Sequence, residues 1–375
     1  MKNDLSFRLS VLFFMLLSVA MLAQDFEALQ YRTVGPARGG RVTTVTGTAL
    51  LPGTFYLGSS GGGVWKSEDY GTTWNNVSDG FFETPSIGAI EVASNDANIV
   101  YVGTGSDGLR SNIIAGKGMY KSIDGGETWT HGGLRNVGQI GAVEIDPTDN
   151  NIVWVAAIGQ AFNANEERGV YKTVDGGQSW ERVLFISDTV GFSDIELLPG
   201  NPNVIFATAW KAERKPWTII SGGTQEEGGL FKSVDGGVNW TKVTEGLPTG
   251  LIGKIDLAIP KEHSNIVYAI VEAPDDEGGL FKSVDGGASW DKITEGLPTG
   301  LIGDIDLAIS PADSSIIYAL IEAPGEDGGL YRSLDQGKTF EQMSNDANTL
   351  NRPFYYGNIE AHPTNADIVY SLAGR

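Results

Sequence analysis

Ser122-Ile123-Asp124-Gly125-Gly126-Glu127-Thr128-Trp129 is the stretch on which the reading of the fold turns. It sets a hydroxyl two residues before a carboxylate, follows with paired glycines, and closes on an aromatic. An aspartate in that position can accept hydrogen bonds from N–H groups inside its own turn, as Asx turns do. Glycine supplies the positive φ that such a turn needs, and the aromatic opens the next strand. The pattern recurs at 67–74, 173–180, 233–240, 283–290 and 333–340, about fifty residues apart. Its aspartates are Asp69, Asp124, Asp175, Asp235, Asp285 and Asp335. They read as structural turn residues, not as six catalytic or metal-binding carboxylates.

The flanks repeat with the turn. Short apolar runs precede it at 118–121 and 229–232, and earlier ones stand at 99–102, 152–155 and 266–269. Alternating runs come first, at 87–92 and 255–259, and a further strand follows the aromatic, as at 180–183. Four strands per repeat, with turn signals between them, describe the blade of a β-propeller. The fold class is therefore all-β, with six complete blades and an incomplete seventh. The first blade opens near Val42, and 356–360 and 368–370 read as the first two strands of the seventh. Residues 29–34 resemble a fourth strand, and unpaired edges are avoided in native sheets, so the chain is expected to be part of a longer protein. Residues 228–277 and 278–327 are nearly the same sequence, as a duplicated blade would be.

Composition narrows the class further. Glycine numbers 51 of 375 residues but follows no Gly-x-y period, and abundant Trp, Val and Ile favour a turn-rich β protein over disorder. The formal charge of −21, from 47 acidic against 26 basic residues, argues against a nucleic-acid partner, which needs a basic stripe. Lys2 and Arg8 precede the apolar run 9–23, the pattern of a secretory signal peptide cleaved after Ala20 or Ala23. The expected organisation is 1–23 as signal and 24–375 as propeller, in the periplasm or outside the cell, with no membrane span after signal removal. With no cysteine, disulfides and thiolate chemistry are excluded. His131, His263 and His362 fall in separate repeats without metal-ligand spacing, and no Gly-rich phosphate loop precedes a helix, so neither metal nor cofactor is expected.

The repeats resemble the Asp-box, or BNR, repeats of sialidases, xyloglucanases, photosystem assembly factors and sortilin-type propellers. The segments 31–42, 58–66, 165–169 and 352–356 most resemble large secreted bacterial proteins with a sortilin-like N-terminal propeller, a group described as glycosyl hydrolases. In xyloglucanase-type propellers the resemblance implies a catalytic carboxylate in the first blade, just before a Gly-Gly stretch. Its place here falls at Ser60. Glycoside hydrolysis calls on two facing carboxylates, so no catalytic residue is assigned and a binding role is favoured. The ligand would be a protein, a peptide or a glycan. A hydrolase completed by a second propeller, or an assembly factor, remain the alternatives.

Binding residues are expected on the long loops between second and third strands, because rigid scaffolds carry function on loops. Those loops run over 105–112, 160–168 and 210–217. They supply Asp107, Arg110, Glu167, Arg168, Trp210, Glu213, Arg214 and Trp217 as candidates. Tyr355 and Tyr356 join them as amphipathic aromatics, and Arg38 and Arg41 as anion contacts.

Overall fold

A computed structural model describes residues 41–109, 113–299, 305–346, 348–350, 358–362 and 364–372, all within one compact unit, Gly39–Arg375. The expected signal peptide and the strand expected at 29–34 lie outside the described residues.

Six four-stranded antiparallel meanders follow one another along the chain. Blade 1 comprises Val42–Gly47, Phe55–Ser59, Val64–Ser67 and Asn75–Asn76, and blade 2 comprises Ile87–Val92, Val100–Thr104, Met119–Ser122 and Thr130–His131. Blade 3 is Ile140–Ile145, Val153–Ala157, Gly169–Thr173 and Glu181–Leu184. Blade 4 is Val190–Leu197, Ile205–Lys215, Gly229–Ser233 and Thr241–Val243. Blade 5 is Ile255–Ala258, Val267–Val271, Gly279–Ser283 and Asp291–Lys292, and blade 6 is Ile305–Ile309, Ile317–Ile321, Gly329–Ser333 and Glu341–Ser344. The pair Asn358–Ala361 and Val369–Leu372 continues the series as the start of a seventh. Among the described residues the helical content is one short turn, Gln225–Glu227.

Each strand's composition suits its place. Second strands are sandwiched between sheets and are buried from end to end in blades 2, 3 and 6. They are accordingly almost wholly apolar, as strands covered on both faces must be. The core is consequently a series of slabs, one per blade interface. Tyr56, Ile90, Val102 and Trp129 fill the first, and Val143, Val155 and Met119 the second. Phe192, Ala207 and Trp154 fill the third, and Val267, Phe281 and Phe206 the fourth.

The box turns join neighbouring blades as well as neighbouring strands. Within each box the aspartate gathers donors: Asp124 accepts the Thr128 N–H at 2.9 Å and hydroxyl at 2.6 Å, and the Ser122 hydroxyl at 2.7 Å. The following pair is left-handed in every box, with Gly125 and Gly126 at φ +68° and +89°. This turns the box carbonyls toward the preceding blade. Lys172 donates to the Gly236 carbonyl at 2.8 Å while lying 5.0 Å over the Trp154 ring. Lys121, Lys232 and Lys282 make the same bond to Gly176, Gly286 and Gln336. A lysine, an aromatic and a box carbonyl thus form one recurring joint.

Carboxylates on the innermost strands act similarly. Asp194 accepts the Leu257 N–H at 3.1 Å, and Asp306 the Ile359 N–H at 2.6 Å, each from the next blade's first strand. An inner edge strand leaves N–H groups without a ladder partner, and these acids satisfy some of them.

Candidate functional site

On the face opposite the box turns, the three long loops of blades 2, 3 and 4 converge. Leu109 and Ile113, Ile158 and Ala161, and Trp210 and Ala212 make an apolar cluster of their own, apart from the blade interfaces. Three segments distant in sequence therefore share one small core above the sheets.

The third of these segments differs from expectation. Residues 210–217 are not an open loop. The second strand of blade 4 runs on to Lys215, turns at Pro216-Trp217, and pairs back with Thr218–Ser221. Two β-prone runs flanking a Pro-Trp pair were the sequence signal for this hairpin. Trp210 consequently lies in a strand, 4% exposed, with its indole N–H donating to the Ser221 hydroxyl at 3.1 Å. It packs the hairpin down and presents no face to a ligand. Glu213 is buried too, and faces Lys215 at 3.4 Å.

Arg168 also departs from its expected role. Its side chain is wholly buried, and its guanidinium donates to the carbonyls of Ile158 at 2.9 Å, Gln160 at 3.0 Å and Ala212 at 3.0 Å. Burial draws its pKa down to about 10, so it stays charged near neutrality. It clamps the blade 3 loop to the blade 4 hairpin and cannot reach a bound molecule. The Arg214 N–H donates to the Ala161 carbonyl at 2.6 Å and adds a second tie.

The exposed chemistry lies at the hairpin tip and beside it. Trp217 is 99% exposed and holds a φ of +78°. Phe162, next to the Ala161 carbonyl that holds the hairpin, is half exposed and was not singled out by sequence reasoning. Arg214 donates to the Lys215 and Thr218 carbonyls across the turn. Glu167 is half-buried in the blade 3 loop. Asp107 sits apart, in the field of Lys254, whose ammonium is 2.8 Å from Asp256. Arg41 offers its carbonyl to the Ser60 N–H at 2.8 Å, in the turn between the second and third strands of blade 1. Arg38, Arg110, Tyr355 and Tyr356 lie outside the described residues.

The histidines do not meet. His131 is engaged with the Lys117 carbonyl and the Gly133 N–H in blade 2, and the His362 ring accepts the Thr364 and Asn365 N–H groups near the chain's end. Among the described residues no three potential ligands converge on a metal position.

No family model matches the chain. It is similar to a xyloglucanase of a Paenibacillus species, 27% identical over 213 residues, which is 51% of this chain and 19% of that protein. Among solved structures it superposes on the GH74 xyloglucanase of Xanthomonas campestris with a TM-score of 0.62 at 18% identity, over 92% of this chain and 52% of that one. It also superposes on YCF48 bound to D1 peptide, at TM-score 0.56 and 14% identity, over 92% and 95% of the two chains. The chain therefore spans about half the length of the xyloglucanase structure and matches about a fifth of the Paenibacillus protein. At these identities the structural likeness establishes a β-propeller as the fold.

Proposed function

We propose that this chain is an exported propeller that binds a glycan on the loop face of blades 2–4 and does not itself cleave it. Trp217 carries the reading. A non-glycine residue at positive φ costs about 1–2 kcal/mol, and an exposed indole recovers none of this through packing. A strained aromatic held out on a braced hairpin is suited to stacking on a sugar ring. The absence of cleavage rests on Ser60, which puts a hydroxyl where the resemblance implies a carboxylate, and a hydroxyl cannot serve as that acid or base. A second reading has one observation in its favour: the xyloglucanase relative is about five times longer than the segment matched, so a larger protein could supply the carboxylate pair for hydrolysis.

Affinity electrophoresis in glycan-loaded gels, paired with a reducing-sugar assay, tests both. The expected outcome is retardation of the wild type without sugar release, and at least a tenfold loss of affinity in a folded Trp217→Ala variant. Release of reducing ends by the purified chain would replace binding with hydrolysis. Unchanged retardation of Trp217→Ala would move the site off the hairpin.

A further inference from the structure

The charge of the hairpin runs against that of the molecule. The chain carries a formal −21, yet residues 210–218 hold Lys211, Arg214 and Lys215 against a single acid, Glu213. Two of these cations are already matched. Lys211 pairs with Glu227 at 2.6 Å, and Lys215 with Glu213 at 3.4 Å. Arg214 is different: among the described residues no carboxylate pairs with it, and its recorded side-chain bonds go only to the carbonyls of Lys215 and Thr218, through one of its three nitrogens. These two carbonyls fix the guanidinium across the turn that presents Trp217. A guanidinium has five N–H donors, so most remain available toward solvent. Its geometry suits a carboxylate, which it can grip with two parallel bonds.

A neutral sugar can take only ordinary hydrogen bonds from a guanidinium, a carboxylate gains charge pairing and bidentate geometry as well, and a cationic sugar would be repelled. The positive tip locally offsets a negative overall field that salt screens beyond about 8–10 Å, so an anionic ligand can approach it. We infer that the glycan is an anionic chain, with a uronate carboxylate seated on Arg214 and an adjoining sugar ring stacked on Trp217. This rests on the glycan reading of the loop face and goes further in naming the class of sugar. The bonds from the Arg214 N–H to the Ala161 carbonyl and from the Arg168 guanidinium to the Ala212 carbonyl hold the pair in place before ligand arrives, which lowers the ordering cost of binding.

The test compares polygalacturonate with its fully methyl-esterified form, which keeps the rings and removes the charge, using the full chain at low and at physiological salt. The acid form should bind at least tenfold more tightly than the ester, and the advantage should shrink as salt rises. Arg214→Gln should abolish the preference for acid over ester, so that the two polymers bind equally. Trp217→Gly should weaken both, and because glycine accepts positive φ it should fold at least as well as the wild type. Equal binding of acid and ester by the wild type would overturn the anionic assignment and leave the glycan reading standing. Failure to bind either polymer, or neutral xyloglucan, would remove the glycan reading itself. Binding of poly-glutamate as tightly as polygalacturonate, unaffected by Trp217→Gly, would replace the sugar with an acidic peptide and overturn the inference.

Discussion

At Tyr70 and Gln336 the backbone adopts φ +61°, where the other four boxes place glycine. Both side chains sit in a conformation that crowds Cβ against the neighbouring carbonyl, at a cost of about 1–2 kcal/mol. Tyr70 is largely exposed and recovers little of this through packing. Gln336 contributes its carbonyl to Lys282 and Tyr268, a bond that any residue can make. Tyr70→Gly and Gln336→Gly are therefore each expected to stabilise the protein by about 1 kcal/mol, offset in part by glycine's greater freedom when unfolded. Chemical denaturation would register this as a raised midpoint at constant slope. A lowered midpoint would mean that side-chain contacts outweigh the backbone strain.

The blade 4 hairpin depends on Arg168 more than on its own two strands, since an isolated two-stranded ribbon is marginal in water. Replacing Arg168 with Met keeps much of the volume but leaves the carbonyls of Ile158, Gln160 and Ala212 without that donor. A buried acceptor stripped of its partner costs about 1–3 kcal/mol. Amide exchange across 205–221 should accelerate in Arg168→Met by at least tenfold while exchange in blade 5 stays unchanged. Uniform acceleration over all blades would show that the clamp supports the whole propeller and not the hairpin alone. The box joints have the opposite character: the lysine–aromatic–carbonyl unit recurs from interface to interface, so each one shares a common load.

Over the whole molecule, two sets of carboxyls pull stability in opposite directions with pH. Box hydrogen bonds hold Asp124, Asp175, Asp235 and Asp335 down to about 2. Their folded pKa is depressed, so the stability they confer is present above the unfolded value, about 4, and is lost as pH falls through 2. On the inner strands, burial pushes Glu91 and Asp194 up to about 7, against the pull of Lys261 and Lys254 respectively. Glu144 and Glu196 are raised well above the usual carboxyl range by burial and by mutual repulsion with Asp194 and Glu91. Their folded pKa is elevated, so the stability they confer is full below the unfolded value, about 4, and fades as pH climbs through 7. Thermal unfolding followed from pH 3 to 8 should therefore show a maximum between about pH 4 and 5. Glu144→Gln, which keeps an acceptor for the Leu197 N–H without a charge, should raise the melting temperature at pH 8 and change it little at pH 5. A melting temperature that rises steadily to pH 8 would contradict this account.

The sequence by itself determined the blade. A turn needing positive φ, a hydroxyl and a carboxylate can be met by few residue types, so the box is written out six times, and strand period and apolar runs place the remaining strands within a residue or two. First strands beginning at Val42 and Ile87 follow directly from that pattern. The loop face was legible only as a location. Whether Arg168 and Trp210 meet a ligand or hold up a hairpin depends on burial, and burial there arises from three segments that share no repeat and touch only after the blades are stacked. Phe162 and Trp217 are both aromatics in polar surroundings, and so is Trp210. Tertiary structure alone separates them, because the local chain carries no record of which face its neighbours will cover.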